Sequence, residues 1–192
     1  LASNYGKQIE HWNGVDFSAN ARLARAVTVQ GGVSTGRTST DNCEVVAKLP
    51  EVISTATTGL PLAYCHMNSP WLTQVKALGS YTVPRVDVLL SATLQSLPGA
   101  EIAANYIATN AIVAPSLGRN LSGNAANVTV NLVAPGTMYI DRFNEVDIRA
   151  AKIFRLGRTS TSVNFDLYNV FNSDAVLGVN NSYGAWLRPT SI

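Results

Sequence analysis

Residues 146–172 read Val146-Asp147-Ile148-Arg149-Ala150-Ala151-Lys152-Ile153-Phe154-Arg155-Leu156-Gly157-Arg158-Thr159-Ser160-Thr161-Ser162-Val163-Asn164-Phe165-Asp166-Leu167-Tyr168-Asn169-Val170-Phe171-Asn172. Val146, Ile148, Ala150, Phe154 and Leu156 share one phase of the first half, opposite Asp147, Arg149 and Arg155. After Gly157 and Arg158 the alternation restarts, with Val163, Phe165, Leu167 and Phe171 against Asn164, Asp166 and Tyr168. A period of two sends successive side chains to opposite faces, so the run predicts two antiparallel strands and a short turn. Lys152 falls on the apolar phase, which calls for a bulge or for a side chain that snorkels off the apolar surface.

The same pattern extends toward the N-terminus. Over 8–24, Val15, Phe17, Ala19, Ala21 and Leu23 alternate with Trp12, Gly14, Asp16, Ser18, Asn20 and Arg22. A turn near Arg25 and Ala26 leads to a second strand carrying Val27, Val29, Gly31 and Val33 on one phase. Residues 72–83 alternate again, and Pro84 and Arg85 form a short turn. The next strand starts at Val86, is weakened by Leu89, and is expected to continue, bent at Pro98 and Gly99, toward Ile107. Two stretches break the period: 41–70, with both cysteines, and 109–143, rich in Asn, Gly, Ala and Pro, with a strand of its own near 128–133. Short connections at Arg25, Pro84 and Gly157 thus alternate with long ones from Asp41, from Thr109 and after Asn172.

Composition narrows the class. Charged residues make up 14% of the chain, against about 25% in a typical soluble domain. The 46% of apolar residues is dispersed; no window offers the roughly 20 apolar residues of a spanning helix, and no basic segment followed by an apolar one opens the chain. The net charge of +2 comes from scattered Lys and Arg, without the basic stripe that phosphate backbones select, so nucleic acid is not an expected partner. Alternation alone would also suit a soluble extracellular β-sandwich that binds a partner or glycan. Strands sustained for about 10 residues match a tilted membrane crossing better than sandwich strands of roughly 6.

The expected fold is therefore all-β. It is an antiparallel up-and-down transmembrane β-barrel segment with about six or more long strands, short periplasmic turns and long extracellular loops. The chain begins at Leu1 and stops at Ile192 within loop-like sequence, so residues 1–192 are read as one partial barrel domain. An open sheet with two bare edges is expected to aggregate when expressed alone. Asp16, Arg22, Asp147, Arg149 and Asp166 fall on the polar phase and are expected to face a wet lumen, where they remain ionised.

The quoted run resembles the penultimate hairpin of TonB-dependent outer-membrane receptors. A strand of the form V-D-x-R-x-x-K-x-F-R passes through a short turn into one ending D-L-Y-N-x-F-N. Tyr183-Gly184-Ala185-Trp186-Leu187-Arg188-Pro189 looks like the loop before the last strand, most like the Oar-like receptors with a carboxypeptidase-regulatory-like N-terminal domain. The resemblance is sequence-specific over 144–192 and architectural over 1–143. It implies energised uptake of a solute, or a glycan or peptide, across the cell outer membrane. The partners it implies are outer-membrane lipid and a TonB complex engaged through an N-terminal region that this stretch does not contain. The family's TonB box, plug domain and last strand with its terminal aromatic residue are also not found in it. A passive porin-type barrel is the nearest alternative on the loop pattern alone.

Candidate sites are few. Cys43 and Cys65 lack metal-ligand spacing and read as a disulfide closing a surface loop, with two free thiols as the alternative. His11 and His66 offer no arrangement for acid–base or nucleophilic work, so the chain is read as no enzyme, with no cofactor. Asp41, Asn42 and Glu44 are the nearest approach to a cation site, and no metal is expected. Gly31, Gly32 and Gly36 fit no phosphate loop and read as backbone freedom in a curved sheet. The sequons at Asn120, Asn127 and Asn180 carry no weight. Trp71, Tyr183 and Trp186 are candidate aromatics at the outer mouth or at the membrane interface.

Overall fold

The structure, a computed structural model, describes residues 2–23, 26–48 and 62–192. Its elements in chain order are β1 (Ile9–Leu23), β2 (Val27–Asp41), α1 (Cys43–Lys48), β3 (His66–Asn68), β4 (Leu72–Val83) and β5 (Val88–Leu97). There follow β6 (Asn105–Thr109), α2 (Asn110–Leu117), β7 (Asn127–Asn131), β8 (Phe143–Leu156), β9 (Thr159–Leu167), β10 (Gly178–Val179) and β11 (Pro189–Ser191). The main sheet has the order β1-β2-β4-β5-β8-β9, with the short β3 beside β2. All its neighbours are antiparallel, and the long strands follow one another in chain order, an up-and-down meander. The sheet is open, with β1 and β9 as its two edges.

Register decides what each face carries. One row across the sheet pairs Leu23 with Val27, Val27 with Tyr81, Tyr81 with Leu90, Leu90 with Ala150 and Ala150 with Phe165. Two residues along, Ala21, Val29, Gly79, Ala92, Ile148 and Leu167 form the next row on the same face. The apolar phases of six separate strands thus merge into one surface. It is uncovered: Phe17 is 69%, Leu90 42%, Ile148 42% and Phe165 70% exposed. The whole chain exposes 13432 Å², whereas a compact protein of its mass exposes about 8,800 Å². No second sheet packs on this face among the described residues, so the layered core of a sandwich is not formed.

The strands are also staggered. In the row defined by Leu23 and Val27 the first hairpin closes at once; the second closes two residues later, at Val83 with Val88, and the third six residues later, at Leu156 with Thr159. The apolar run moves the same way. It centres on Ala19 in β1, four residues short of that row, and on Ala151 in β8, one residue past it. Both measures give a slip of about 1.3–1.5 residues per strand, and with a 3.3 Å rise and 4.8 Å spacing this inclines the strands by about 40–45° to the band.

Tight and long connections segregate to opposite ends. Arg25, half of the expected first turn, lies outside the described residues. The second turn is short because Arg85 (φ 71°) and Asp87 (φ 48°) both adopt left-handed backbone. β8 holds it in place: Ile153 N–H donates to Asp87 O at 2.9 Å, Arg155 pairs with Asp87 at 3.1 Å, and Lys152 Nζ donates to the Val86 carbonyl. Lys152 itself continues the ladder, opposite Val88 and Val163, so no bulge forms there. Its stem runs along the apolar face and its ammonium leaves at the turn, the snorkelling arrangement.

The opposite end holds the long connections, and here the structure corrects several expectations. β5 stops at Leu97 and does not run on as a strand to Ile107; β6 pairs with β7 in a separate two-stranded sheet. The strand expected near 128–133 is β7, Asn127–Asn131. α1 and α2 occupy stretches read as loop, α1 within 41–70, of which 49–61 lie outside the described residues. What core there is lies mostly here: Ile102, Ala104 and Ala108 are buried in one connection, Val46 and Cys65 in another.

Candidate functional site

The polar face follows from the same register. Successive rows across it are Ser18, Gly32, Lys76, Gln95 and Glu145, then Asn20, Gln30, Leu78, Thr93 and Asp147. A third row is Arg22, Thr28, Ser80, Ser91, Arg149 and Asp166. Asp16, Arg22, Asp147, Arg149 and Asp166 therefore all share one face. A shallow groove lined by Ser18, Asn20, Gln30, Lys76, Thr93 and Gln95 runs along it.

Its charges are organised differently from one another. Arg149 grips Asp166 with two bonds, Nε to Oδ1 at 2.5 Å and Nη2 to Oδ2 at 3.0 Å, a planar fork on a carboxylate. Gln95 Nε2 donates to Glu145 at 2.7 Å, and Thr93 Oγ1 reaches Asp147 at 3.4 Å. The other oxygen of Asp147 accepts the Asn169 amide at 2.9 Å, where β9 ends. Asn169 (φ 49°) then bonds Ser173 through both its amide oxygen and its amide nitrogen, which closes the turn. Two residues that alternation placed on one polar phase thus do separate jobs: Asp166 is paired, Asp147 terminates a strand. Asp16, Arg22 and Lys76 have no ion pair among the described residues.

At the long-connection end the aromatics divide. Trp71 lies beneath Arg37, 5.7 Å from its guanidinium, one residue before β4 begins. Trp186 Nε1 donates to Ala103 O at 3.0 Å, and Tyr183 meets Tyr106 edge to face at 5.5 Å. The Asn181 side chain accepts from Ala103 N–H, and its carbonyl accepts from Asn105 N–H. Tyr183 and Trp186 therefore join the chain's last segment to the β5–β8 connection. The sequence signal missed was Asn181, whose short amide satisfies backbone that no ladder reaches.

Alternation places Trp12 on the polar phase and says nothing more of it. An added Cβ would lie 2.2 Å from its ring at Gly14 and 2.5 Å from it at Gly36, two glycines paired across β1 and β2. Gly36 thus serves as a bare seat for an indole, not as a conformational hinge.

Cys43 and Cys65 are joined, with Cα atoms 4.8 Å apart. Beside them, Asp41 accepts from Cys43 N–H at 3.0 Å and meets His66 Nδ1 at 3.4 Å. The Cys43 amide, and then the His66 ring, hold the Asp41 carboxyl below its ordinary range. Glu44 accepts from the Lys7 amide at 3.1 Å. These carboxylates are engaged within the protein, and no group of three metal-ligating side chains occurs among the described residues.

Comparison with protein-family models, curated proteins and solved structures returns no match for this chain.

Proposed function

We propose that these strands are the wall of an outer-membrane β-barrel of the TonB-dependent receptor type, which takes up a solute through its lumen without covalent chemistry. The observation that carries the membrane part is the continuous, uncovered apolar face built by six consecutive strands over a polar opposite face. Spanning five gaps of about 4.8 Å and roughly 30 Å along the strands, it covers about 700 Å², more than the largest apolar patch of a typical soluble monomer. The inclination of about 40–45° near that of membrane barrels, and tight turns at one end with long connections at the other, support the same reading. Closing the barrel requires further strands at the β1 and β9 edges. Energised uptake, and TonB as the partner that drives it, rest on the resemblance of residues 146–172 to the receptor family.

Nitroxide labels placed one at a time from 146 to 156, in the full reading frame reconstituted in lipid vesicles, test the membrane part. Labels at 146, 148 and 150 should be accessible to oxygen, and those at 147 and 149 to a water-soluble nickel complex. Equal access of both phases to the nickel complex would sink it. TonB-dependent uptake would then be read as loss of solute accumulation in cells lacking TonB; uptake that continues undiminished would favour the passive porin.

A further inference from the structure

Charge is distributed unevenly between the two ends of the sheet. Around the tight turns the described residues carry Arg22, Arg85, Lys152, Arg155 and Arg158 against a single acid, Asp87. Everywhere else the described residues hold more acids than bases. Arg155 is neutralised by Asp87 at 3.1 Å, and Arg22 belongs to the polar face. That leaves Arg85, Lys152 and Arg158 on the rim of the apolar face, none with an acidic partner among the described residues. Arg85 and Arg158 are exposed in neighbouring turns, and Lys152 climbs the apolar face to place its ammonium at the carbonyl of Val86.

We propose that this rim binds the headgroups of anionic phospholipids in the leaflet facing the tight turns. The inference rests on the membrane reading above and goes beyond it by naming the lipid chemistry. A cation at the edge of an apolar surface meets the lipid at phosphate height, and a rim with an excess of cations attracts headgroups of net negative charge over zwitterionic ones. Each cation near such a surface is worth roughly a fivefold shift in partition, so three acting together favour anionic lipid by at least several-fold.

The test uses the full reading frame in vesicles, with Val86→Cys carrying a fluorophore beside the rim and the Cys43–Cys65 disulfide intact. Quenching is compared between brominated phosphatidylglycerol and brominated phosphatidylcholine. The expected result is a preference for phosphatidylglycerol of about fivefold or more, falling toward unity in R85Q/K152Q/R158Q and in high salt, which screens surface charge. R85Q/R158Q spares the Lys152 bond to the turn and should lose most of the preference even where the triple variant fails to fold. Equal quenching by both lipids, in a protein that inserts and runs as a heat-modifiable band, overturns this inference alone. Loss of the preference when inorganic phosphate replaces chloride at constant, low ionic strength also overturns it, in favour of a free-anion site. Failure to enter the bilayer overturns the membrane reading with it.

Discussion

The six long strands of the main sheet and the connections at its open end are built on opposite principles. The sheet is regular in sequence and register, yet it leaves large side chains such as Phe165, 70% exposed, and Phe17, 69% exposed, mostly uncovered. The connections are irregular, yet they close on themselves around Ile102, Ala104 and Ala108 through side-chain bonds from Asn131 and Asn181. Order in the first therefore depends on the surroundings of the apolar face, and order in the second on contacts the chain supplies itself.

Four measurements would break or sharpen that contrast. Leu90→Arg sets a charge near the middle of the apolar face and should cost about 2–4 kcal/mol of folding stability in lipid. Urea titration in vesicles reads it; an unchanged midpoint would mean that the face does not meet hydrocarbon. Trp186→Ala removes the indole bond to Ala103 and should weaken only the joint between connections, by about 1–2 kcal/mol. Amide exchange at Ala103 and Asn105 should quicken while that of β5 and β8 holds; quickening in both regions would erase the distinction.

Trp12→Ala uncovers the Gly14 and Gly36 pair and should destabilise the β1–β2 hairpin by about 1 kcal/mol, read in the same titration. The smallest effect concerns pH. Because the folded state holds the Asp41 carboxyl below its ordinary value of 3.8, its contribution is complete above that value and disappears as the pH falls through the lower folded one. Proteolysis of the disulfide-closed connection should accelerate only in that acidic window, and Asp41→Asn should abolish the pH dependence; a change centred near neutrality would contradict it.

The sheet was legible because period two is redundant. A one-residue error in any strand would have put its apolar set on the wrong face, and none did, from Val15 in β1 to Leu167 in β9. Lys152 looked like an exception only because a sequence pattern registers where a side chain begins, not where it ends. The connections were opaque for the converse reason. Asn110 and Asn181 read as loop composition, and Asn131 and Asn169 as members of strands, while each bonds a backbone amide outside the main ladder. Of the candidate aromatics, Trp71 meets Arg37 beside the start of β4, whereas the roles of Tyr183 and Trp186 depend on partners about 80 residues away.

The β5–β8 connection is itself a nested ladder. From β6 and β7 the pairing runs through Leu132 N–H to Ala104 O, Ile102 N–H to Met138 O, the bridge of Glu101 with Tyr139, and Ile140 N–H to Ala100 O, and arrives at Leu97 opposite Phe143. Bringing β8 to β5 then need not close the connection in a single search. It can zip from the β6–β7 pair, each rung leaving only a few residues to order before the next, which keeps the entropy of each step small. The least regular part of the chain thereby supplies a stepwise route by which its most regular part can be joined.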